Sequence, residues 1–357
     1  MSHHSAILFC GGGSLGHITP SLAVWEELKK IDPGLSVVFL CADRSDERAI
    51  LESSGIPFRT IHAGKFPRGF SIRLLTFPAL FICSIIESAI ALRSIKPSVI
   101  FSKGGYVSVP VCLAAYLFRI PIVLHASDSV PNISDRLIGR IARTICTGFP
   151  TDTFPSALRK KAIQTGNPVR SMIASGLRAA GQRITGFSGK RPVLMIIGGS
   201  QGSLALNEAV DLQFDRLVAL ADIIHLTGTG KELQRTHARY WARPSVIEEL
   251  PHLYALADLV VTRAGAGTLS ELSLLGKAAI VVPLTGVAHD HQLKNAEIPA
   301  AAGAIDLLKE ERLAVLTEHV QSLLTNHDRR RMTGDTLRKI FPFDAARRIA
   351  GILLDVL

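Results

Sequence analysis

The sequence has no Cys-x-x-Cys pair, no Asp-x-Asp pair and no zinc-ligand spacing, and aromatic residues make up only 6% of its 357 positions. Each absence removes a class of protein. Without paired thiols, the five cysteines (Cys10, Cys41, Cys83, Cys112 and Cys146) read as core thiols of a reducing compartment. His289 and His291 lack a third ligand, so no metal is expected. Few aromatics, no RNP-like motif and no basic helix argue against nucleic acid as the partner for a net charge of +10. That charge points instead to phosphorylated small molecules or anionic lipid headgroups.

Long apolar runs are also missing. The greasiest stretch, Leu74 to Ile86, spans thirteen residues and carries Pro78, short of the roughly 20 a membrane-spanning helix needs. Lys65, Arg68 and Arg73 precede it and Arg93 follows. The segment therefore fits either docking onto an anionic membrane face or a buried core helix. Glycines and His17 interrupt the N-terminal apolar segment, which does not read as a signal peptide.

What the chain does have is alternation. Short apolar runs at Ala6–Cys10, Ser36–Cys41, Val99–Phe101, Ile122–His125 and Thr144–Thr147 alternate with helical patterns. Those patterns cover 19–30, 46–54, 74–94, 107–118 and 133–142. A second set of strands is expected at Val193–Ile197, Ile223–Leu226, Ser245–Glu248, Leu259–Thr262 and Ala279–Val282. The reading is α/β, with parallel sheets covered on both faces. Turn chemistry at Gly166-Asn167-Pro168-Val169-Arg170 marks the linker. The expected domains are residues 1–165 and 166–340, with the last helix (344–357) packing back on the first.

Each half opens on a glycine-rich turn after a strand: Gly11-Gly12-Gly13-Ser14-Leu15-Gly16-His17, and Gly198-Gly199-Ser200-Gln201-Gly202. Such junctions aim backbone N–H groups and a positive helix end at a ligand, which suits phosphate. Gly11, Gly13 and Gly16 also satisfy a dinucleotide fingerprint, making a nicotinamide dehydrogenase a rival. Its acidic partner could only be Asp43, which lies late. His17 is foreign to that fingerprint; at a helix N-terminus its neutral form is favoured, and it either takes a proton from a substrate hydroxyl or caps the helix. Ser102-Lys103-Gly104-Gly105-Tyr106-Val107-Ser108 forms a second junction on the same rim, an anion cradle with Lys103 between the two loops. In the second half, Arg263-Ala264-Gly265-Ala266-Gly267-Thr268 leads into another helix. Glu271 there either pairs with a ribose diol or complements the helix dipole.

Six motifs occur in order: GGSLGHITP (12–20), GGYVSVP (104–110), GNPVR (166–170), GGSQGS (198–203), TRAGAGTLSE (262–271) and HQLKNA (291–296). Together they resemble the MurG family of bacterial glycosyltransferases over nearly the whole chain. The resemblance implies a GT-B fold: two Rossmann-like domains whose parallel sheets face across a cleft, the first for the acceptor and the second for the donor. It implies inverting, metal-independent transfer of N-acetylglucosamine from UDP-N-acetylglucosamine, a substrate rather than a cofactor, to undecaprenyl-diphosphate-N-acetylmuramyl-pentapeptide. The product would be lipid II, for peptidoglycan. The site would be peripheral, on the cytoplasmic face of the inner membrane, meeting its anionic surface and a polyprenyl-diphosphate-linked acceptor.

Carried over by residue, the resemblance makes His17 the general base, with Gly12, Gly13, Ser14, Gly16, Gly104, Gly105, Tyr106 and Ser108 around the acceptor. Arg170, Ser200, Gln201, Gly202, Gly265 and Thr268 would serve the UDP phosphates, and Arg263 is a further donor-binding position. Ile247 would read uracil through its backbone, Glu271 would hold the ribose, and His291 with Gln292 would contact the sugar; Asn207 is a further matched donor-side position. Two departures stand out. Leu15 replaces a glycine of the family's GGTGGH, and His125-Ala126-Ser127-Asp128 stands where the family has HEQN. Asp128 is thus a second candidate: it orients His17, acts as base itself, or reflects a divergent acceptor. The rival readings are another GT-B lipid glycosyltransferase with a different sugar or acceptor, and a non-catalytic UDP-sugar-binding homologue.

Overall fold

The computed structural model describes residues 6–13, 15–64, 73–199, 201–286 and 290–357. Ser14, Lys65, Arg68, Ser200 and His289 lie outside them. Two compact units emerge. One is the chain up to Arg170 together with Asp344–Leu357, and the other is Ser171–Phe343.

The first unit is built on seven parallel strands in the order β3-β2-β1-β4-β5-β6-β7. They are β1 (Ala6–Cys10), β2 (Ser36–Ala42), β3 (Phe58–Ile61), β4 (Val99–Ser102), β5 (Ile122–Ala126), β6 (Thr144–Thr147) and β7 (Ala162–Gln164). The inner strands are buried on both faces, so they read as unbroken apolar runs. The edge strands β3 and β7 keep polar positions and escape that reading. Strand order reverses between β1 and β4, and ligands of open α/β sheets bind at the carboxyl edge of that point. The helices are α1 (Leu15–Ile31), α2 (Ser45–Ser54), α3 (Arg73–Ile95), α4 (Ser108–Leu117), α5 (Ile133–Ile141) and the short α6 (Ser156–Arg159).

Two expectations change here. Leu15 needs no left-handed backbone, because it is the first residue of α1. The apolar segment is also longer than its thirteen residues suggested: Thr76–Ile95 of α3 is 20 residues, long and apolar enough to cross a membrane by length and composition. The helix stays apolar because both its faces are. Phe81, Ile85, Ala89 and Ile95 pack on the core, while Leu80, Ile82, Ile86 and Ile90 are exposed. Cys83 lies exposed on the same helix, whereas Cys10, Cys41, Cys112 and Cys146 are buried thiols.

The second unit has six parallel strands in the order β10-β9-β8-β11-β12-β13. These are β8 (Val193–Ile197), β9 (Asp222–Leu226), β10 (Tyr240–Arg243), β11 (Leu259–Thr262), β12 (Ala279–Val281) and β13 (Asp306–Leu307). The strand expected at Ser245–Glu248 is loop. Pro244, which has no N–H to give a ladder, ends the pairing one residue earlier. Helices α7 (Arg178–Thr185), α8 (Leu204–Leu212), α9 (Phe214–Leu220), α10 (Leu250–Leu256), α11 (Ala266–Leu275), α12 (His291–Ala301), α13 (Leu316–Thr325) and α14 (His327–Ile340) complete it. The last helix, α15 (Ala345–Leu354), lies along α1, burying Ile349, Ala350 and Leu353 with Ile18, Leu22 and Phe39.

The division falls after Arg170 for a local reason. Thr165 and Gly166 donate their amides to Thr147, the Gly166 carbonyl accepts from His125 at 2.9 Å, and Asn167 donates to the Ser127 carbonyl at 3.2 Å. The GNPVR segment, placed by the sequence at the start of the second domain, is thus fastened to the first unit.

Candidate functional site

In the first unit, the loops after β1, β4 and β5 meet at the carboxyl edge. Gly13, at φ +90°, passes so close to Tyr106 that a Cβ there would lie 2.3 Å from the ring. Gly104 and Gly105 both have positive φ, and a Cβ on Gly104 would strike the Asp135 carboxylate at 2.4 Å. These glycines therefore allow close approach as well as turning. The resemblance places Gly13 around the acceptor. In the structure its amide donates to Oε1 of the buried Glu47, at 2.5 Å. A carboxylate beside the start of α1 suits the helix dipole. Ser108, expected to face the acceptor, is fully buried, and its hydroxyl reaches the carbonyls of Cys10 and Gly104 at 3.1 and 2.7 Å. It sets the loop's shape.

His17 occupies the first turns of α1, half-buried, with Nδ1 3.1 Å from the Lys103 carbonyl. A carbonyl can only accept, so Nδ1 carries the proton and Nε2 keeps its lone pair. Nε2 looks toward Gly105, 3.3 Å from where a Cβ would stand. Burial, and secondarily the Lys103 charge, lower the His17 pKa to about 4. The imidazole is neutral at pH 7. Lys103 itself is buried, and its ammonium donates to the Ser127 hydroxyl. Burial pulls its pKa down, while Asp135 and Asp128 oppose that. Asp135 closes a capping box with Asn132 at the start of α5, and burial pushes its pKa up. Asp128 follows β5, half-buried, and acts electrostatically on both His17 and Lys103. Ala126 is buried inside β5. Asp43, the dehydrogenase candidate, is exposed and paired with Arg48.

In the second unit, the loop after β8 turns through Gly199 and Gly202, both at positive φ, into α8, whose N-cap is Ser203. A Cβ on Gly202 would lie 2.2 Å from the Thr227 carbonyl, so only glycine fits there. The carbonyls of Gln201 and Gly202 accept from the Lys231 ammonium at 2.7 and 3.3 Å. The sequence reading missed this cation; the Gly228-Thr229-Gly230-Lys231 turn after β9 was its signal. Asn207, expected on the donor side, is buried and works inward. Its amide donates to the Thr227 and Lys231 carbonyls at 3.0 and 2.8 Å, and its oxygen meets His225 Nε2 at 3.1 Å. It fastens the lysine's turn to α8.

Arg263 is likewise turned inward. It donates to Ser203 Oγ from Nε and Nη2, reaches the Val282 and Pro283 carbonyls from Nη1, and pairs with Glu310. Saturated by these acceptors, it joins three segments instead of facing the donor. The N-terminal end of α11 is open, with Gly267 exposed, Thr268 half-buried and Gly265 in extended backbone as N-cap. One turn on, Glu271 accepts from the buried Tyr254 hydroxyl at 2.9 Å. Asn295 is buried and donates to the Ala264 carbonyl at 3.2 Å, shaping that turn. Gln292 accepts from the Leu284 amide at 3.0 Å, beside half-buried His291. Ile247 is exposed on the loop between β10 and α10. Arg170 ends the first unit, with Nε buried and unbonded. Among the described residues no group of three or more His, Cys, Asp and Glu is placed to hold a metal ion.

The profile of the glycosyltransferase family 28 N-terminal domain matches residues 7–147, and that of the family 28 C-terminal domain matches 193–346. A UDP-N-acetylglucosamine--N-acetylmuramyl-(pentapeptide) pyrophosphoryl-undecaprenol N-acetylglucosamine transferase from Clostridium kluyveri is 37% identical over 308 residues, 85% of this chain and 86% of the relative. One of the same name from Lachnoclostridium phytofermentans is 35% identical over 355 residues, 98% of each chain. The crystal structure of Acinetobacter baumannii MurG superposes with a TM-score of 0.76 at 25% identity, covering 98% of this chain and 99% of that one. A UDP-GlcNAc 2-epimerase from Neisseria meningitidis, at 15% identity and a TM-score of 0.70 over 98% of this chain and all of that one, shares the fold.

Proposed function

The chain belongs to glycosyltransferase family 28, and from that premise we propose how it carries out its reaction. It is an N-acetylglucosamine transferase, acting from UDP-N-acetylglucosamine on an undecaprenyl-diphosphate-linked N-acetylmuramyl-pentapeptide in peptidoglycan synthesis. In our reading His17 is the general base. The observation that carries it is the Lys103 carbonyl on His17 Nδ1, which leaves the Nε2 lone pair unprotonated and turned toward Gly105 between the two glycine loops. Nε2 removes the proton of the acceptor sugar's hydroxyl as that oxygen attacks the anomeric carbon of the donor, inverting it. UDP leaves with its charge stabilised in the second unit by the open N-terminus of α11, by the Gly198–Gly202 loop and by Lys231 beside it. Glu271, held by Tyr254, takes the ribose hydroxyls. Arg263 and Asn207 are supports for that donor site, as their buried contacts argue.

The acceptor's polyprenyl chain requires an enzyme that works at a membrane surface. The exposed apolar stripe of α3 (Leu80, Ile82, Ile86 and Ile90), with Tyr116 and Leu117 exposed at the end of the adjoining helix α4, supports peripheral docking there. Arg93 and Arg119 beside it would meet anionic headgroups.

The deciding experiment measures UDP released from UDP-N-acetylglucosamine with a soluble lipid I analogue, with and without a chelator. Acceptor-dependent release that survives chelation, together with loss of at least about 100-fold in His17→Gln at unchanged UDP affinity, is the expected result. Normal turnover in His17→Gln removes His17 as base, and release lost to the chelator removes the metal-independent reading.

A further inference from the structure

A buried lysine is costly unless it is paired and hydrogen-bonded, and Lys103 bears on His17 in two ways. Its carbonyl fixes the Nδ1 proton, and its buried ammonium, fastened to Ser127, acts on the imidazole through its charge. The backbone positions the residue for this. The Lys103 amide donates to the Cys10 carbonyl at 2.9 Å, and its Cβ lies 3.2 Å from where a Cβ on Gly11 would stand. The lysine's stem therefore enters between the two glycine loops, and its side chain is buried there. We propose that Lys103 is a positioning residue for His17, holding the imidazole in its neutral, Nδ1-protonated form.

This inference rests on His17 acting as the base. The charged and titratable groups around the pair are Tyr106 beyond the Gly104–Gly105 turn, His125 on β5, Asp128 after it, Asp135 on α5 and Glu47 on α2. Lys103 and Asp128 compete for control of His17. The Lys103 charge opposes a proton on the imidazole and the Asp128 charge favours one, with burial the largest influence of all. The Asp135 charge favours the charged ammonium against the cost of its burial. The Ser127-Asp128 pair standing in place of the family's usual residues thereby acquires a use, since Ser127 anchors the lysine and Asp128 balances it.

The test is an NMR titration of the His17 imidazole in the free enzyme, in parallel with the pH profile of kcat/KM. Lys103→Met should raise the His17 midpoint by about one pH unit or more, and the acid limb of the profile should rise with it. Asp128→Asn should move both the other way. The double variant Lys103→Met/Asp135→Asn removes both buried charges and leaves neither orphaned, so it keeps the readout if the single variant fails to fold. An unmoved His17 midpoint in these lysine variants overturns the inference, even with His17 as base. Full transfer by His17→Gln overturns the base reading instead, and the titration result would still stand.

Discussion

Tyr254 on α10 donates its hydroxyl to Oε2 of Glu271 on α11 at 2.9 Å, and the tyrosine is wholly buried. Burial, then the neighbouring carboxylate, hold the phenol protonated by raising its pKa well above 10. The bond therefore has one direction, and it fixes the carboxylate that is proposed to grip the ribose. Tyr254→Phe keeps the ring and removes only this donor. The expected loss is about 1.5 kcal/mol, a roughly tenfold rise in the donor KM with kcat nearly unchanged. Glu271→Ala should raise KM further. An unchanged KM in both variants would take the ribose away from Glu271.

Arg263 gives a different signature. Its planar fork serves Ser203, two carbonyls at the end of β12 and Glu310 at once, which a lysine ammonium cannot do. Arg263→Lys should cost about 2–3 kcal/mol of unfolding free energy in the second unit, with weaker UDP binding as Ser203 loses its tether. Had Arg263 gripped a phosphate directly, the substitution would weaken UDP binding and leave the melting temperature in place. Calorimetric melting and UDP titration of the same sample separate the two cases.

These two residues mark how far the sequence could be read. The six motifs located the correct loops, and the central strands were legible because parallel strands buried on both faces are unbroken apolar runs. What a motif does not contain is which way a side chain turns. Arg263, Asn207 and Ser108 look like ligand contacts in a list of polar motif residues, yet each faces inward to satisfy a buried carbonyl or hydroxyl. The opposite error hid Lys231 and Glu47. Glu47 has unremarkable neighbours and Lys231 only a short glycine turn before it, and it is the placement of β9 beside β8, and of α2 beside the start of α1, that brings them to the glycine loops. Tyr240–Arg243 was missed because an edge strand of mixed polarity carries a weak signal, while Ser245–Glu248 only resembled one.

Buried histidines give this chain an acid-side weakness. His225 bridges Asn207 and Tyr240, and burial lowers its pKa to about 4. An unfolded histidine titrates near 6.5. Between those values the unfolded chain binds the extra proton, so stability rises with pH across the window and is lost as pH falls from about 6.5 to about 4. One such group contributes a slope of up to about 1.4 kcal/mol per pH unit. His225→Gln should flatten the pH dependence of urea unfolding between pH 7 and pH 5 by about that much, whatever it does to stability at pH 7. Parallel slopes in the two proteins would mean that His225 is not neutral in the folded state.

The faces of α3 separate docking from folding. Ile82 and Ile86 are 57% and 53% exposed, whereas Ile85 between them packs on the core beneath. A charge at the first two positions meets water in the free protein and costs little there. At a bilayer the same charge would have to enter the headgroup–acyl boundary. Ile82→Glu/Ile86→Glu should therefore release the protein from vesicles of anionic phospholipid, while its melting temperature and its activity on a soluble acceptor are kept. Ile85→Glu should do the reverse and lower the melting temperature, because an unpaired carboxylate inside the α3–α4 layer has no partner to offset its desolvation. If vesicle binding survives the exposed pair, the membrane is met by another surface, and the apolar stripe of α3 serves some other contact.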